Sequence, residues 1–200
     1  MAFLKSSPTI RPACAGWRLW FASVLVTAAM PALHSADTAP AATISAEYRV
    51  KAGFLFNFLQ FVEWPARALG DPAAPIVIGV LGDDPFGGYL DELVQGEKVG
   101  ERPIVVRRFR RTDEIANCHI LFLSRSEAAQ FEKQLAALAG RNVLTVGDAD
   151  GFERAGGIVR FAIENGKIRL RINTDAAKAA ELTISSKLLR LATLVTREKR

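Results

Sequence analysis

The sequence has few of the residues from which disulfide frameworks and metal sites are built. Its 200 residues include two cysteines and two histidines, which excludes a disulfide scaffold and a cysteine-rich zinc module and argues against a histidine-based metal site. The motifs G-x-S-x-G, G-x-G-x-x-G, G-x-x-x-x-G-K-S/T and H-E-x-x-H are missing, and with them the local arrangements that serve many hydrolases, nucleotide-binding proteins and metalloproteases. We therefore predict a protein that is not an enzyme and that uses no cofactor and no metal.

Tyrosine and tryptophan are also scarce, with two and three copies against twelve phenylalanines. A phenylalanine-rich set is typical of a core rather than of a platform on which nucleic-acid bases stack. The net charge is +5, and residues 1–42 carry three basic residues and one acidic residue, which leaves +3 for the rest. Because this charge is mild, and because the first 42 residues predict export as described next, we expect no nucleic-acid partner.

Residues 1–42 have the layout of a secretory signal peptide. The segment begins with a positively charged region that contains Lys5, Arg11 and Arg18. An uncharged, mostly apolar run follows over residues 19–30, and then a stretch of small residues. The apolar run is shorter than the about 20 residues that a membrane-spanning helix needs, although a retained anchor is the alternative. We expect cleavage between residues 36 and 42 and export of residues 43–200.

After residue 42 the chain alternates apolar strands with amphipathic helices. Apolar residues recur at helical spacing over residues 46–62, and the run at 76–82 is typical of a parallel strand that is buried on both faces. Asn165-Gly166 separates two alternating runs and predicts a hairpin with a type I′ turn. Further strands are predicted over 103–110, 119–123 and 142–147, further helices over 86–95, 127–139 and 176–196, and a helical turn over 112–117. The pattern predicts a single three-layer α/β domain with a mostly parallel sheet, an antiparallel C-terminal hairpin and a C-terminal helix.

Two short motifs each have a functional and a structural interpretation. Asp83-Asp84 follows the predicted central strand, at the edge where open α/β sheets bind ligands, but such a pair before a proline also forms turns and helix caps. Cys118-His119 combines a nucleophile with a base. Because adjacent strand residues point to opposite faces, this pair favours a buried, structural cysteine.

Arginines concentrate in two segments. Residues 101–111 contain five arginines, which suit an acidic partner or lipid headgroups, or protect an exposed edge strand. On the hairpin, Glu164, Arg169 and Arg171 form a polar face. That face suits a carboxylate of a partner or a small anionic ligand, or it simply faces solvent.

Several segments together resemble the YfiR family of periplasmic proteins. In chain order they are KAGFLFNF and FVEWP near the start, then GVLGDDPFG, CHILFLS, VLTVGD, GGI, IN and ISSKLL. Each segment alone is weakly specific, and their order over residues 46–196 carries the resemblance.

The resemblance implies a compact α/β fold, a periplasmic location, dimers, and regulation rather than catalysis. It implies a protein that binds and inhibits the periplasmic sensor region of an inner-membrane signalling protein, here a diguanylate cyclase, and so lowers cyclic di-GMP and biofilm formation. The chain lacks the extra cysteines of some relatives, so redox control through an internal disulfide is not expected. Cys118 is then free or forms an intermolecular disulfide.

A regulator of this kind needs surface residues that contact its partner, and such contacts concentrate in aromatic and arginine residues. We nominate Phe54, Phe58 and Trp64 as apolar partner contacts, although the same aromatics also suit a core. The polar nominees are Glu164 and the two hairpin arginines named above. The alternative function is a periplasmic small-molecule binding module that signals to a histidine kinase or another membrane sensor, with a pocket near residues 82–86 or on the hairpin.

Overall fold

The computed structural model describes residues 44–196. The signal peptide predicted for residues 1–42 lies outside the described residues. The helices are α1 (Ala46–Phe61), α2 (Ala66–Leu69), α3 (Tyr89–Val94), α4 (Phe131–Ala137), α5 (Thr174–Ala179) and α6 (Ser186–Leu189), with 3-10 helices at Thr112–Glu114 and Arg125–Gln130. The strands are β1 (Val62–Glu63), β2 (Ile76–Leu81), β3 (Lys98–Val99), β4 (Arg102–Phe109), β5 (Ile120–Leu123), β6 (Leu144–Gly147), β7 (Val159–Glu164), β8 (Lys167–Asn173), β9 (Thr183–Ile184) and β10 (Ala192–Val195).

Eight strands form one main sheet in the order β10-β8-β7-β6-β5-β2-β4-β3. Strands β4, β2, β5, β6 and β7 run parallel, and β10 runs parallel to β8. The β7–β8 and β3–β4 pairs are antiparallel. The chain leaves β2 for β4 on one side and then returns to β5 on the other, so β2 lies at the point where the winding reverses. The predicted mostly parallel sheet with an antiparallel hairpin is confirmed.

Helices cover both faces of this sheet because its central strands are apolar on both faces. All six residues of β2 are buried. Ile78 and Val80 face a core with α1 and α3, whereas Val77 and Leu81 face a second core with α4. The predicted three-layer arrangement is therefore confirmed.

Helix α1 begins and ends where its sequence predicts. The Ser45 hydroxyl accepts a hydrogen bond from the Tyr48 N–H at 3.4 Å, which caps the first turn. Val62 is already extended, and Pro65 follows shortly after. Within residues 44–196, no helix combines the length and apolar character that a membrane crossing requires.

The hairpin has the predicted register. Asn165 and Gly166 have φ values of 51° and 71°, as a type I′ turn requires. Phe161 pairs with Leu170 on the buried face, and Arg160 pairs with Arg171 on the other face. The two faces of the hairpin therefore carry different chemistry.

The predicted C-terminal helical region is confirmed, but its prediction as a single helix over 176–196 is wrong. The region is helical only in α5 and α6, and it also contains β9 and β10. Glu181 has a φ of 56°, which ends the helical path after α5. Ile184 then pairs with Val62 in β1, and β10 extends the main sheet. Leu188 and Leu191 would lie on one face of a continuous helix, but Leu188 is in the core and Leu191 is 75 % exposed.

Candidate functional site

Two of the nominated aromatics meet where α1 crosses the hairpin. The Phe58 ring stacks on Phe161 with centroids 6.1 Å apart, and Phe54 lies 5.8 Å from the same ring. Phe58 is completely buried, which gives it a role in the core and no surface to offer a partner. Phe54 is only partly buried against the same core, so it remains available at the surface.

Apolar residues continue outward from this contact and form a surface that we call the apolar patch, made of Val50, Phe54, Ile163 and Ile168. Val50 lies one helical turn before Phe54 and is 50 % exposed, and Ile163 lies two residues after Phe161 on the same strand face and is 48 % exposed. Ile168 is the cross-strand partner of Ile163. The spacing of the sequence predicts these residues on the apolar faces of α1 and the hairpin, but it does not show that they lie where the core meets solvent.

Trp64 is held at a different place. Its indole Nε1–H donates to the backbone oxygen of His119 at 3.2 Å, and its ring meets the His119 ring edge-on at 6.2 Å. His119 immediately precedes β5, whereas Phe54 lies against β7, and β6 separates these two strands. The structure therefore does not bring Trp64 together with Phe54.

The polar face of the hairpin is largely neutralised by carboxylates of the hairpin and of the loop that precedes it. The Arg171 guanidinium donates to Glu164 at 3.0 Å, so two of the polar nominees bind each other. Arg160 donates to the buried Glu153 at 3.0 Å and also pairs with Asp150. Neither Arg160 nor Glu153 is among the nominated residues. Glu153 lies in the loop before the hairpin, so the pattern of the hairpin alone does not predict that the two side chains pair.

Arg169 differs from its neighbours on this face. It is exposed and has no ion-pair partner within residues 44–196. An anionic group that approaches the hairpin would therefore meet a free guanidinium at Arg169, whereas at Arg171 it would have to compete with Glu164.

The Asp83-Asp84 motif takes the structural role. The Asp84 carboxylate accepts a hydrogen bond from the Phe86 N–H at 2.7 Å and another from Arg108 at 2.9 Å. Arg108 also donates to Asp91, and this hydrogen bond holds the pKa of the Asp91 carboxyl below its usual range. Part of the arginine-rich segment thus binds its own loops.

The Cys118-His119 motif is structural as well. Cys118 is buried and free, its thiol donates to the Ile120 oxygen at 3.0 Å, and burial raises its pKa to about 12. A thiol with such a pKa stays protonated and is a poor nucleophile. The His119 Nδ1 accepts from the Val77 N–H at 3.0 Å, and burial lowers the histidine pKa below its ordinary value of 6.5.

A buried charge cluster fixes α1 to the carboxyl ends of the parallel strands. We call it the Lys51 cluster, and it consists of Glu47, Tyr48, Lys51, Arg125 and Asp148. Lys51 and the Asp148 side chain are fully buried, with 2.5 Å between the ammonium and the carboxylate. Tyr48 donates to the same carboxylate at 3.0 Å, Arg125 lies 3.2 Å from its other oxygen, and Glu47 pairs with Lys51.

This cluster occupies the edge at which open α/β sheets usually bind ligands. Arg125 follows β5 and Asp148 follows β6, so both lie at the carboxyl ends of neighbouring strands. Burial, and next the charge of Asp148, raise the pKa of Tyr48 to about 12, so the phenol remains a donor. Sequence reasoning missed the cluster, although a lysine within the apolar stripe of α1 is the signal that points to a buried partner.

We expect the Lys51–Asp148 pair to show strong energetic coupling. Lys51→Met or Asp148→Asn alone leaves a buried charge with fewer partners, so each should lower the free energy of unfolding by about 3 kcal/mol. The double variant should lose at least about 1 kcal/mol less than the sum of the two. Urea denaturation of the four proteins measures this coupling. Arg125→Ala, which removes a side chain that is more than half exposed, should cost below about 1 kcal/mol, and strict additivity of the pair would contradict the account.

We also expect stability to fall on acidification through His119. Because its pKa is lower in the folded protein than in the unfolded chain, the folded state binds fewer protons. The contribution of His119 to the free energy of unfolding is then fully present above about pH 6.5, and it decreases as the pH falls below that value. His119→Asn keeps an acceptor for the Val77 N–H but does not titrate, so its stability should change less between pH 7 and pH 5. Equal pH dependence of the two proteins would refute the role of His119.

Comparison with known proteins identifies a family that this chain matches. The chain matches the model of a family described as YfiR/HmsC-like over residues 48–193. No curated protein matches the chain.

Two solved structures are similar to part of this chain at low identity. A conserved domain protein from Vibrio cholerae has 15% identity and a TM-score of 0.48, and covers 74% of this chain and 60% of its own. An ABC domain in complex with L-Trp from Streptococcus pneumoniae has 14% identity and a TM-score of 0.45, and covers 60% of this chain and 55% of its own. The chain thus spans less than two thirds of the length of either structure.

The family match extends from the first turn of α1 to the start of β10. It includes the apolar patch, the polar face of the hairpin and all of the Lys51 cluster except Glu47. Because it covers well over half of the chain, and the resemblance of the sequence segments is thereby confirmed, the protein belongs to the YfiR/HmsC-like family.

Proposed function

We propose that this protein is a periplasmic regulator that binds the periplasmic sensor region of an inner-membrane diguanylate cyclase and inhibits it. Members of the YfiR-like family are regulatory, non-catalytic proteins of cyclic di-GMP signalling. Inhibition of the cyclase lowers cyclic di-GMP and, with it, biofilm formation. The signal peptide proposed for residues 1–42 brings residues 43–200 to the compartment in which the sensor region lies.

The observation that carries the proposal within the family is the apolar patch. Single exposed apolar side chains are ordinary, but a contiguous group that continues from the core marks a surface that binds another molecule. Here Val50, one helical turn before Phe54, and Ile163, two residues after the Phe161 that Phe54 contacts, are both about half exposed. A protein that acts by contact needs such a surface, since apolar anchors supply most of the free energy of association.

The other nominated residues have supporting roles in the proposed contact. Phe58 holds Phe54 from beneath through its own stack on Phe161. Arg169 offers a free guanidinium to an acidic group of the partner, and Arg171 together with Glu164 offers a paired one. Trp64 is proposed as a contact at a separate place, where the partner would meet its partly buried ring.

The contact surface is tested with a photo-crosslinking amino acid at position 163 in intact cells. We expect it to capture an inner-membrane diguanylate cyclase through its periplasmic region, identified by mass spectrometry of the crosslinked peptides. The matched control places the same amino acid at Lys133, which is exposed on α4 on the other face of the sheet. Equal capture from both positions, or capture of the protein itself alone from position 163, would count against the patch.

A single substitution in the apolar patch gives a second and sharper test. Ile163→Glu places a charge on an exposed side chain, so it should change the free energy of unfolding by no more than about 0.5 kcal/mol. It should nevertheless weaken the complex by at least about tenfold, because it breaks an apolar anchor. Titration of the purified sensor region with both proteins measures this difference.

The alternative is a small-molecule binding module that signals to a histidine kinase or another membrane sensor. A pocket near residues 82–86 has little support, because the loops close over the end of β2. The Ser126 hydroxyl accepts from the Asp83 N–H at 3.0 Å, and a Cβ on Gly82 would lie 2.5 Å from that oxygen. A homodimer stays a proposal that rests on the resemblance, and sedimentation equilibrium of the purified protein tests it.

A further inference from the structure

A cleft lies between α4, which packs on one face of the sheet, and α5, which packs against the same core as α1. It is bounded by α4, by α5 and by the turn at residues 154–156 that leads into β7, and its volume is about 510 Å³. Sites for small organic molecules have volumes of roughly 300–1,000 Å³ and combine an apolar lining with a few polar groups. The cleft shares no residue with the apolar patch, so it goes beyond the function proposed above.

The two helices that bound the cleft contribute small side chains to its lining. Its floor is apolar and buried, made of Leu135, Leu138 and Ile158. Ala136 on α4 and Ala179 on α5 line the walls above that floor. Larger side chains at these two positions would occupy the space, so the small ones are what leaves an apolar body room to bind.

One buried polar group faces the cleft with unused capacity. The Thr145 hydroxyl oxygen accepts from the Ile158 N–H at 3.0 Å. Within residues 44–196, its own hydrogen has no acceptor among the side-chain hydrogen bonds. Buried hydroxyl groups usually donate as well as accept, and a polar atom of a bound molecule would complete this one.

The charged residues of the cleft are unpaired, unlike most of those around it. Glu132, Arg154 and Asp175 line it, and none of the three has an ion-pair partner within residues 44–196. By contrast, Asp150 and Glu153 in the adjoining loop are both paired with arginine. Two carboxylates against one guanidinium make the cleft net negative on a domain whose net charge is positive.

We propose that this cleft binds a small amphipathic amine. The apolar body of the ligand would lie on the leucine and isoleucine floor, and its ammonium group would be attracted to Glu132 and Asp175. A carboxylate ligand with the same apolar body would meet the opposite balance of charge. The site therefore discriminates by the sign of the head group.

The test uses three probes that differ in that head group: 2-phenylethylamine, 2-phenylethanol and 3-phenylpropanoate. Each is titrated into the purified, isotope-labelled protein, and amide chemical shifts report where and how tightly it binds. We expect the amine to shift amides of α4, α5 and residues 154–156. We expect its Kd to be at least about fivefold lower than that of the carboxylate, with the alcohol between them.

Variants separate the floor of the cleft from its charges. Ala136→Leu combined with Ala179→Leu should weaken all three probes at least about tenfold by filling the space. The matched control, Ala137→Leu, adds the same volume to α4 at a position that does not line the cleft, and should leave binding unchanged. Glu132→Gln combined with Asp175→Asn should remove the preference for the amine.

Two results would overturn the proposal. Shifts confined to other parts of the protein, or no shifts at millimolar amine, would show that the cleft is not a binding site. Equal affinity for amine and carboxylate would show that the ligand class is wrong. Either result leaves the contact between the apolar patch and a diguanylate cyclase untouched, because the patch and the cleft share no residue and are measured separately.

Discussion

The buried pair of Lys51 and Asp148 is the interaction on which the placement of α1 depends. An ammonium and a carboxylate that are both removed from water carry a large desolvation cost, which only close pairing and further hydrogen bonds offset. Tyr48 and Arg125 supply those further contacts, so the carboxylate at the end of β6 is surrounded by donors. Such a cluster tolerates little displacement, and it therefore sets where the N-terminal half of α1 lies on the sheet.

The surface that α1 presents follows from that anchoring. Phe58 fixes the second half of the helix on Phe161, and the Lys51 cluster fixes the first half. Phe54 lies between these two attachments and stays partly exposed. An apolar patch held at both ends is suited to binding by contact, because little conformational entropy remains to be lost when a partner binds. The cleft between α4 and α5 shares no residue with this patch, so the two surfaces can be occupied independently.

The features that the sequence predicts best are those whose information is local. The Asn165-Gly166 turn and its alternating flanks determine the register of the hairpin, and the spacing of apolar residues determines α1. The C-terminal region is different. Ile184 has helical spacing with Leu188, but it pairs with Val62, which is far from it in the sequence. That contact is non-local, and it overrides the helical pattern.

The candidate site shows the same division. Helical spacing places Phe54 and Phe58 on one face, but only the packing of Phe161 decides which of the two is covered. A lysine on a buried helix face signals that a partner exists, yet nothing near it in the sequence identifies Asp148. The α4–α5 cleft depends on small side chains from two distant segments, so neither segment reveals it alone.

The most direct test of the regulator function is the cyclic di-GMP content of cells that lack this protein. Deletion of the gene should raise cyclic di-GMP, and the wild-type protein should restore the original level. Ile163→Glu, produced in equal amount and equally folded, should fail to restore it. Unchanged cyclic di-GMP in the deletion strain would contradict the proposed inhibition, and full restoration by Ile163→Glu would contradict the role of the apolar patch.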